Sequence, residues 1–262
     1  MLAEKYAKLR ELILAQGSVV VAFSGGVDSS VLAKVAYECL GDKAVAVTLD
    51  SETLPRRELS SARELAGKIG IRHVVLSHSE LRNKDFAANP ADRCFHCKKE
   101  LSHVLTSYVR EHGFASVLEG TNASELLGHR PGARALRQTG VVSPLAEASF
   151  TKEEVRELAG ILGLPNADKP SSACLSSRIP YGEKITKRKL QRVEFAEDFI
   201  RELGVSQVRV RAHKDVARIE VEPKDFPVIL KNRVKVAKAL QEFGFTHVAL
   251  DVLGYRTGSM NE

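Results

Sequence analysis

Val19-Val20-Val21-Ala22-Phe23-Ser24-Gly25-Gly26-Val27-Asp28-Ser29 decides the fold. The apolar run 19–23 reads as a buried strand, and Val31, Leu32, Val35, Ala36 and Leu40 then recur at helical spacing. The glycines therefore stand at a strand-to-helix turn. Gly25 and Gly26 let backbone N–H groups approach an anion closely, while Ser24, Ser29 and Ser30 add hydroxyl donors at the positive end of the helix. Such a turn suits a polyphosphate, although it lacks the Lys of a Walker loop. Working outward, apolar strands at 44–49, 73–76 and 116–118 alternate with helical patterns at 55–69 and 98–111, which predicts an α/β fold with a covered parallel sheet. Ligands of such sheets bind beyond the carboxyl ends of the strands. That edge gathers the Ser24 loop, Asp50-Ser51-Glu52 and Gly120-Thr121-Asn122. Asp50 and Ser51 either contact adenine or ribose there or simply end their strand.

Thr151-Lys152-Glu153-Glu154 has the form of a capping box, so a helix is expected to about Leu162, stopping at Gly163. Pro165, Pro170 and Pro180 then break the periodicity. Beyond them the pattern predicts a helix at 187–203, strands at 207–212 and 216–221, a helix at 224–243 and a strand at 247–253. The expected organisation is a parallel-sheet domain over 1–165, a linker over 166–186 carrying Cys174, and a smaller α+β domain over 187–262.

The chain has 262 residues, 44% hydrophobic and 27% charged, the composition of a globular protein. No apolar run has the length of a membrane span, and the first residues lack a basic-then-apolar signal pattern, so a cytoplasmic location is expected. The net charge of +6 is dispersed among acidic residues and fits a nucleotide or phosphate substrate as well as nucleic acid.

Four cysteines in a cytoplasmic chain argue against structural disulfides. Cys39 falls on the apolar stripe of the helix after the glycine loop and reads as a buried thiol. Cys94 and Cys97 form a Cys-x-x-Cys in a polar stretch with His96, Lys98 and Lys99. Cys174 lies in Ser171-Ser172-Ala173-Cys174-Leu175-Ser176-Ser177-Arg178. The two-residue spacing fits an iron–sulfur cluster, a zinc site completed by His96 or His103, or a redox disulfide.

The Ser24 to Ser29 run resembles the SGGxDS loop of the PP-loop ATP pyrophosphatases, which cradle the β,γ-pyrophosphate and cleave ATP between the α and β phosphates. Taken with Arg130-Pro131-Gly132, Ala173-Cys174 to Arg178, Pro180-Tyr181-Gly182, Arg209-Val210-Arg211, Ala217-Arg218-Ile219-Glu220 and Gly254-Tyr255-Arg256-Thr257-Gly258, it makes the chain similar, nearly end to end, to the LarE family. These are the sulfur transferases of nickel-pincer cofactor synthesis. The resemblance implies that ATP and Mg²⁺ adenylate a carboxylate of pyridinium-3,5-biscarboxylic acid mononucleotide and that sulfur then displaces AMP to give a thiocarboxylate. It implies ATP binding by Ala22, Phe23, Ser24, Gly25, Gly26, Asp28, Ser29, Ser30, Leu49, Asp50, Ser51, Gly120 and Thr121, with Asp28, Ser29 and Cys174 catalytic. Arg178, Arg209 and Arg211 are expected on the substrate phosphate, because guanidinium forks match phosphate oxygens. Glu197, Glu220 and Asp225 resemble acidic positions near the family's metal site.

Single-cysteine members spend the Cys at the position of Cys174 and end with dehydroalanine there. This chain departs from them by Cys94 and Cys97, which with Cys174 resemble the cluster-bearing members, where a [4Fe-4S] cluster relays sulfide. The family also implies a homo-oligomer. Competing readings are tRNA thiolation, an amidase fed by a separate glutaminase, and a nucleotide-binding regulatory module without turnover. Against RNA stand ten Phe, five Tyr and no Trp, with no aromatic-rich basic tract.

Overall fold

A computed structural model describes residues 1–126, 139–170 and 172–256. Arg130-Pro131-Gly132, Ser171 and Thr257-Gly258 lie outside the described residues. The chain forms two compact units, one of residues 1–80 and 92–172, the other of residues 81–91 and 173–262.

The first unit holds a four-stranded parallel sheet in the order β3-β2-β1-β4. Its strands are β1 (Val19–Ala22), β2 (Ala44–Asp50), β3 (Arg72–Ser77) and β4 (Ser116–Leu118). Register pairs Val20 with Val45 and with Val117. Strand side chains alternate between faces. Val19, Val21, Ala44, Ala46 and Leu118 therefore pack with α1 (Leu2–Leu14) and α2 (Val27–Leu40), while Val20, Val45, Val47 and Val117 pack with α4 (Arg93–His112). Burial on both faces is why β1 is an unbroken apolar run. The crossover α3 (Arg56–Ile69) ends on Gly70 at φ 83°, a left-handed cap that glycine adopts without strain.

Helix α4 begins at Arg93, five residues earlier than the periodicity predicts, because its first turn carries no apolar stripe. Cys94 and Cys97 consequently sit on helical backbone instead of in a loop. Helix α5 (Lys152–Ile161) starts on the expected capping box: Glu154 N–H donates to Thr151 Oγ1 at 3.3 Å and Thr151 N–H to Glu154 Oε2 at 2.8 Å.

The second unit carries a three-stranded sheet, β5 (Val208–His213) antiparallel to β6 (Val216–Val221), and β6 parallel to β7 (His247–Leu250). Helix α6 (Lys187–Glu202) packs on β5. The single helix expected over 224–243 is instead α7 (Phe226–Lys231) and α8 (Arg233–Glu242), interrupted at Asn232. Asn232 turns its side-chain amide onto the Val228 carbonyl at 2.9 Å, the local competition that makes Asn a poor interior helix residue. Strand β7 stops at Leu250, short of the expected 253.

Residues 81–91 belong to the second unit although sequence order places them with the first. Their anchor is Asn89, fully buried, whose Nδ2 donates to the carbonyls of Ile179 (3.2 Å), Pro180 (2.7 Å) and Glu183 (3.0 Å). The Gly182 and Ile185 N–H groups return bonds to the Asn89 and Ala87 carbonyls at 2.9 and 2.8 Å.

Candidate active site

Between β1 and α2 the loop is fixed by its own short side chains. Ser29 Oγ and Ser30 Oγ donate to the Gly26 carbonyl at 3.1 and 2.7 Å, and Ser24 Oγ accepts from Gly26 N–H at 3.3 Å. Gly25 is required twice over: its φ is +69°, and a Cβ there would lie 3.0 Å from the Ala62 Cα. Asn166 closes the loop from behind, donating to the Gly25 carbonyl at 3.2 Å and to Ser30 Oγ at 3.0 Å. Gly120 approaches equally closely from β4, since a Cβ would meet Ser29 N at 3.0 Å.

Asp28 occupies the first turn of α2. Asn122 Nδ2 donates to its Oδ1 at 2.9 Å, and Lys152 forms an ion pair with its Oδ2. Thr121 is buried, with its N–H and hydroxyl donating to Glu119 at 3.1 and 2.8 Å. Phe23 is a core side chain: its ring meets His73 edge-on at 5.5 Å, and its N–H and carbonyl are bonded to Val47 and Thr48. Leu49 is partly buried against the Val20 and Val45 cluster, and Ala22 sits beside it there.

At the end of β2, Asp50 is ion-paired with Arg56, and Ser51 Oγ donates to Glu80 Oε2 at 3.1 Å. Glu80 is buried, takes a second hydroxyl bond from Thr53, and accepts from Cys97 Sγ at 2.8 Å. One carboxylate thus joins the loop after β2 to the first turns of α4. Cys94 is exposed, and the i, i+3 spacing puts it on the same helix face as Cys97. Cys39 is partly buried against the core, and burial pushes its thiol up from the usual range, as expected of an inert residue.

In the second unit Cys174 is exposed at the head of the 3₁₀ turn Leu175–Arg178, its Sγ 2.9 Å from Ser176 Oγ. Arg178 holds that turn from inside. Its guanidinium donates from Nε and Nη2 to the two oxygens of Glu197 at 2.7 and 3.0 Å, and from Nη1 to the carbonyls of Ala173 and Cys174 at 2.7 and 3.0 Å. The match of a guanidinium fork to phosphate oxygens assigns Arg178 to a substrate phosphate; the structure turns it inward as a clamp on the Cys174 backbone. Burial alone would raise the Glu197 carboxyl, but Arg178, Arg201 and Arg209 hold it down at about 2.

Arg209 and Arg211 share a face of β5, as their spacing predicts, and both are buried. Arg211 is paired with Glu220 at 2.9 Å, and Arg209 lies over the Tyr255 ring at 5.4 Å. Burial, then the like charges of Arg178 and Arg211, push Arg209 down to about 10, so it stays charged at neutral pH. Glu220 is shared with Arg218, and Asp225 keeps a buried Oδ2 with no partner among the described residues. Glu197 and Glu220 are thus neutralised by arginines, and among the described residues no three His, Cys, Asp or Glu side chains form a group able to hold a metal ion.

Sequence reasoning missed Lys152, Asn166 and Glu80. All three act on residues far away in sequence, so local pattern carried no signal for them; only the capping box marked the place of Lys152.

A family model described as asparagine synthase matches residues 9–218. An uncharacterized Synechocystis protein is 43% identical over 100% of this chain and 98% of its own length. The pyridinium-3,5-bisthiocarboxylic acid mononucleotide synthase of Lactiplantibacillus plantarum is 37% identical over 100% of this chain and 95% of its own. The chain belongs to the LarE family of PP-loop enzymes. It is an ATP-dependent adenylating sulfur transferase. More distantly, one of the component chains of the glutamine-hydrolyzing GMP synthase of Archaeoglobus fulgidus is 25% identical over 63% of this chain and 55% of its own length. No helix among the described residues is long and apolar enough to cross a membrane.

Proposed function

We propose that the enzyme adenylates a carboxylate of pyridinium-3,5-biscarboxylic acid mononucleotide and converts it to a thiocarboxylate for nickel-pincer cofactor synthesis. The observation that carries this reading is the exposed Cys174 thiol on a turn whose carbonyls are gripped by a buried arginine, in a chain that also carries the glycine cradle. The substrate carboxylate attacks the α-phosphorus of ATP, the bond to the β-phosphate breaks, and pyrophosphate leaves. Sulfur then attacks the acyl carbon and AMP departs with the electron pair. The order is dictated by leaving groups: a carboxylate would have to expel oxide, whereas the mixed anhydride expels AMP.

Ser24 to Ser30 would seat the β,γ-phosphates on N–H groups at the α2 terminus. Mg²⁺ neutralises phosphate charge when bound, and Asp28 is a hard oxygen donor suited to it. Arg209 would receive the phosphate of the mononucleotide, because an anion relieves the crowding of three buried guanidinium groups; Arg211 would assist from the same face.

For the sulfur source we propose a [4Fe-4S] cluster on Cys94, Cys97 and Cys174. Thiolates are the right soft donors, and Cys94 and Cys97 present two of them from one helix face. Such a cluster supplies inorganic sulfide as the nucleophile and leaves the polypeptide intact. The second reading is sacrifice of Cys174, favoured by its exposure: its thiolate displaces AMP, and loss of the Cα proton with cleavage of the Cβ–S bond, whose electrons leave on the thiocarboxylate sulfur, then gives dehydroalanine.

Incubation with ATP, the dicarboxylate mononucleotide and sulfide, with tRNA as the rival acceptor, tests the assignment. More than one thiocarboxylate per chain supports the relay. One per chain, with a loss of about 34 Da at Cys174, establishes the sacrificial route. Thiolated tRNA with no thiocarboxylate overturns the substrate assignment.

A further inference from the structure

The Ser24 loop has no cation of its own, yet the fold delivers one to it. Lys152 opens α5, 124 residues beyond Asp28, and its Nζ pairs with Asp28 Oδ2. A lysine in the first turn of a helix faces the positive end of the dipole, which disfavours it, and the neighbouring Glu153 and Glu154 are the residues that position normally takes. Lys152 is held there nonetheless: its N–H donates to Ser124 Oγ at 3.0 Å, directly beside the Thr151 capping box. Asp28 also stands in a first turn, that of α2. Both side chains are largely covered, 27% and 19% exposed, and the other Asp28 oxygen is taken by Asn122. An ammonium beside two helix N-termini is an arrangement that attracts an anion, and Asp28 supplies that anion from within the loop.

We propose that Lys152 is a catalytic residue of ATP cleavage, leaving Asp28 to meet the β,γ-pyrophosphate seated on the Ser24 loop. This rests on the reading of that loop as the ATP cradle. The flexible four-carbon stem of lysine lets Nζ pass from Asp28 to an adjacent phosphate without backbone movement. As the acceptor carboxylate bonds to the α-phosphorus, the bond to the β-phosphate breaks and its electrons leave on pyrophosphate. No proton is transferred; the ammonium keeps its three and offsets the charge growing on the leaving group.

The test titrates pyrophosphate, ATP and AMP into the full chain by calorimetry, with Lys152→Gln and Lys152→Arg beside the wild type. In Lys152→Gln, affinity for pyrophosphate and ATP should fall at least about tenfold while AMP, which lacks the β and γ phosphates, binds as before; the kcat for pyrophosphate release should drop roughly 100-fold. Lys152→Arg should recover most of the pyrophosphate affinity. Equal loss for AMP and pyrophosphate, or loss for neither, overturns the assignment. Should Lys152→Gln fail to fold, Asp28→Asn gives the answer in metal-free buffer: pyrophosphate affinity rises as the ammonium is released, and a fall refutes the proposal. Lys152-dependent pyrophosphate binding in a chain that releases none from ATP with any acceptor would sink the proposed activity and leave the role of Lys152 standing.

Discussion

Replacing Glu197 by Gln should destabilise the second unit in a way that depends on pH. Glu197 is 1% exposed and receives Arg178, Arg201 and the Val210 N–H, at 2.7, 2.9 and 3.1 Å respectively. Its carboxyl is lowered from 4.5 to about 2. At about 1.4 kcal/mol per pKa unit, that difference corresponds to about 3 kcal/mol of stability at neutral pH, the size expected for breaking a buried ion pair by removing one partner. Because the folded-state value is depressed, the contribution is fully present above the unfolded value and is lost as pH falls through the folded one. The gap between wild type and Glu197→Gln should therefore be about 3 kcal/mol at pH 7 and shrink to roughly half of that or less by pH 3. Urea unfolding across that range measures it, with hydrogen exchange over β5 as the local probe because Val210 loses its acceptor. A gap that stays constant with pH, or one below about 1 kcal/mol at pH 7, would refute the assignment of charge to this site.

Asp28→Asn should cut pyrophosphate release by several orders of magnitude, more than the roughly 100-fold of one lost electrostatic contact, with an unchanged unfolding midpoint; full release would remove Asp28 from the chemistry. Arg209→Ala should weaken mononucleotide binding by about 1.5–3 kcal/mol in calorimetry while ATP binding holds, and a parallel loss of both would make the arginine structural. Changing Cys94, Cys97 or Cys174 to Ala should each lower the iron retained after anaerobic reconstitution, while Cys39→Ala retains it; equal iron in all four variants would leave the cluster without support. Gly25→Ala should cost at least about 2 kcal/mol, combining a left-handed φ with the clash on Ala62, and thermal unfolding of that variant at the wild-type temperature would show that the loop yields.

Much of the first unit was legible because its strands are continuous apolar runs and its crossover helices carry apolar stripes, both local signals. The start of α4 was not, since Arg93 to Cys97 mixes charged, aromatic and thiol side chains, and helical backbone there leaves no periodic mark. The break at Asn232 was equally hidden, because apolar spacing on either side runs through it. In the site, alternation along β5 put Arg209 and Arg211 on one face. Their partners required register: Glu220 stands directly opposite Arg209 and diagonal to Arg211, and only the paired sheet reveals it. Arg178 shows the limit of residue type as a guide, since a fork that fits phosphate fits a buried carboxylate equally well.

The excursion of residues 81–91 into the second unit sets a timetable for biosynthesis. A ribosome reading from the N-terminus produces Asn89 long before Ile179, Pro180 and Glu183, whose carbonyls its amide needs. At translation rates of about 5–20 residues per second, the intervening stretch of roughly 90 residues takes about 4.5–18 s to emerge. For that interval Phe86, Ala87 and Asn89, all buried in the finished protein, have no lasting partners. Glu80 lies immediately before this waiting segment and Cys97 shortly after it, so the carboxylate and thiol that meet in the mature enzyme flank a part of the nascent chain that must wait for residues 179–185.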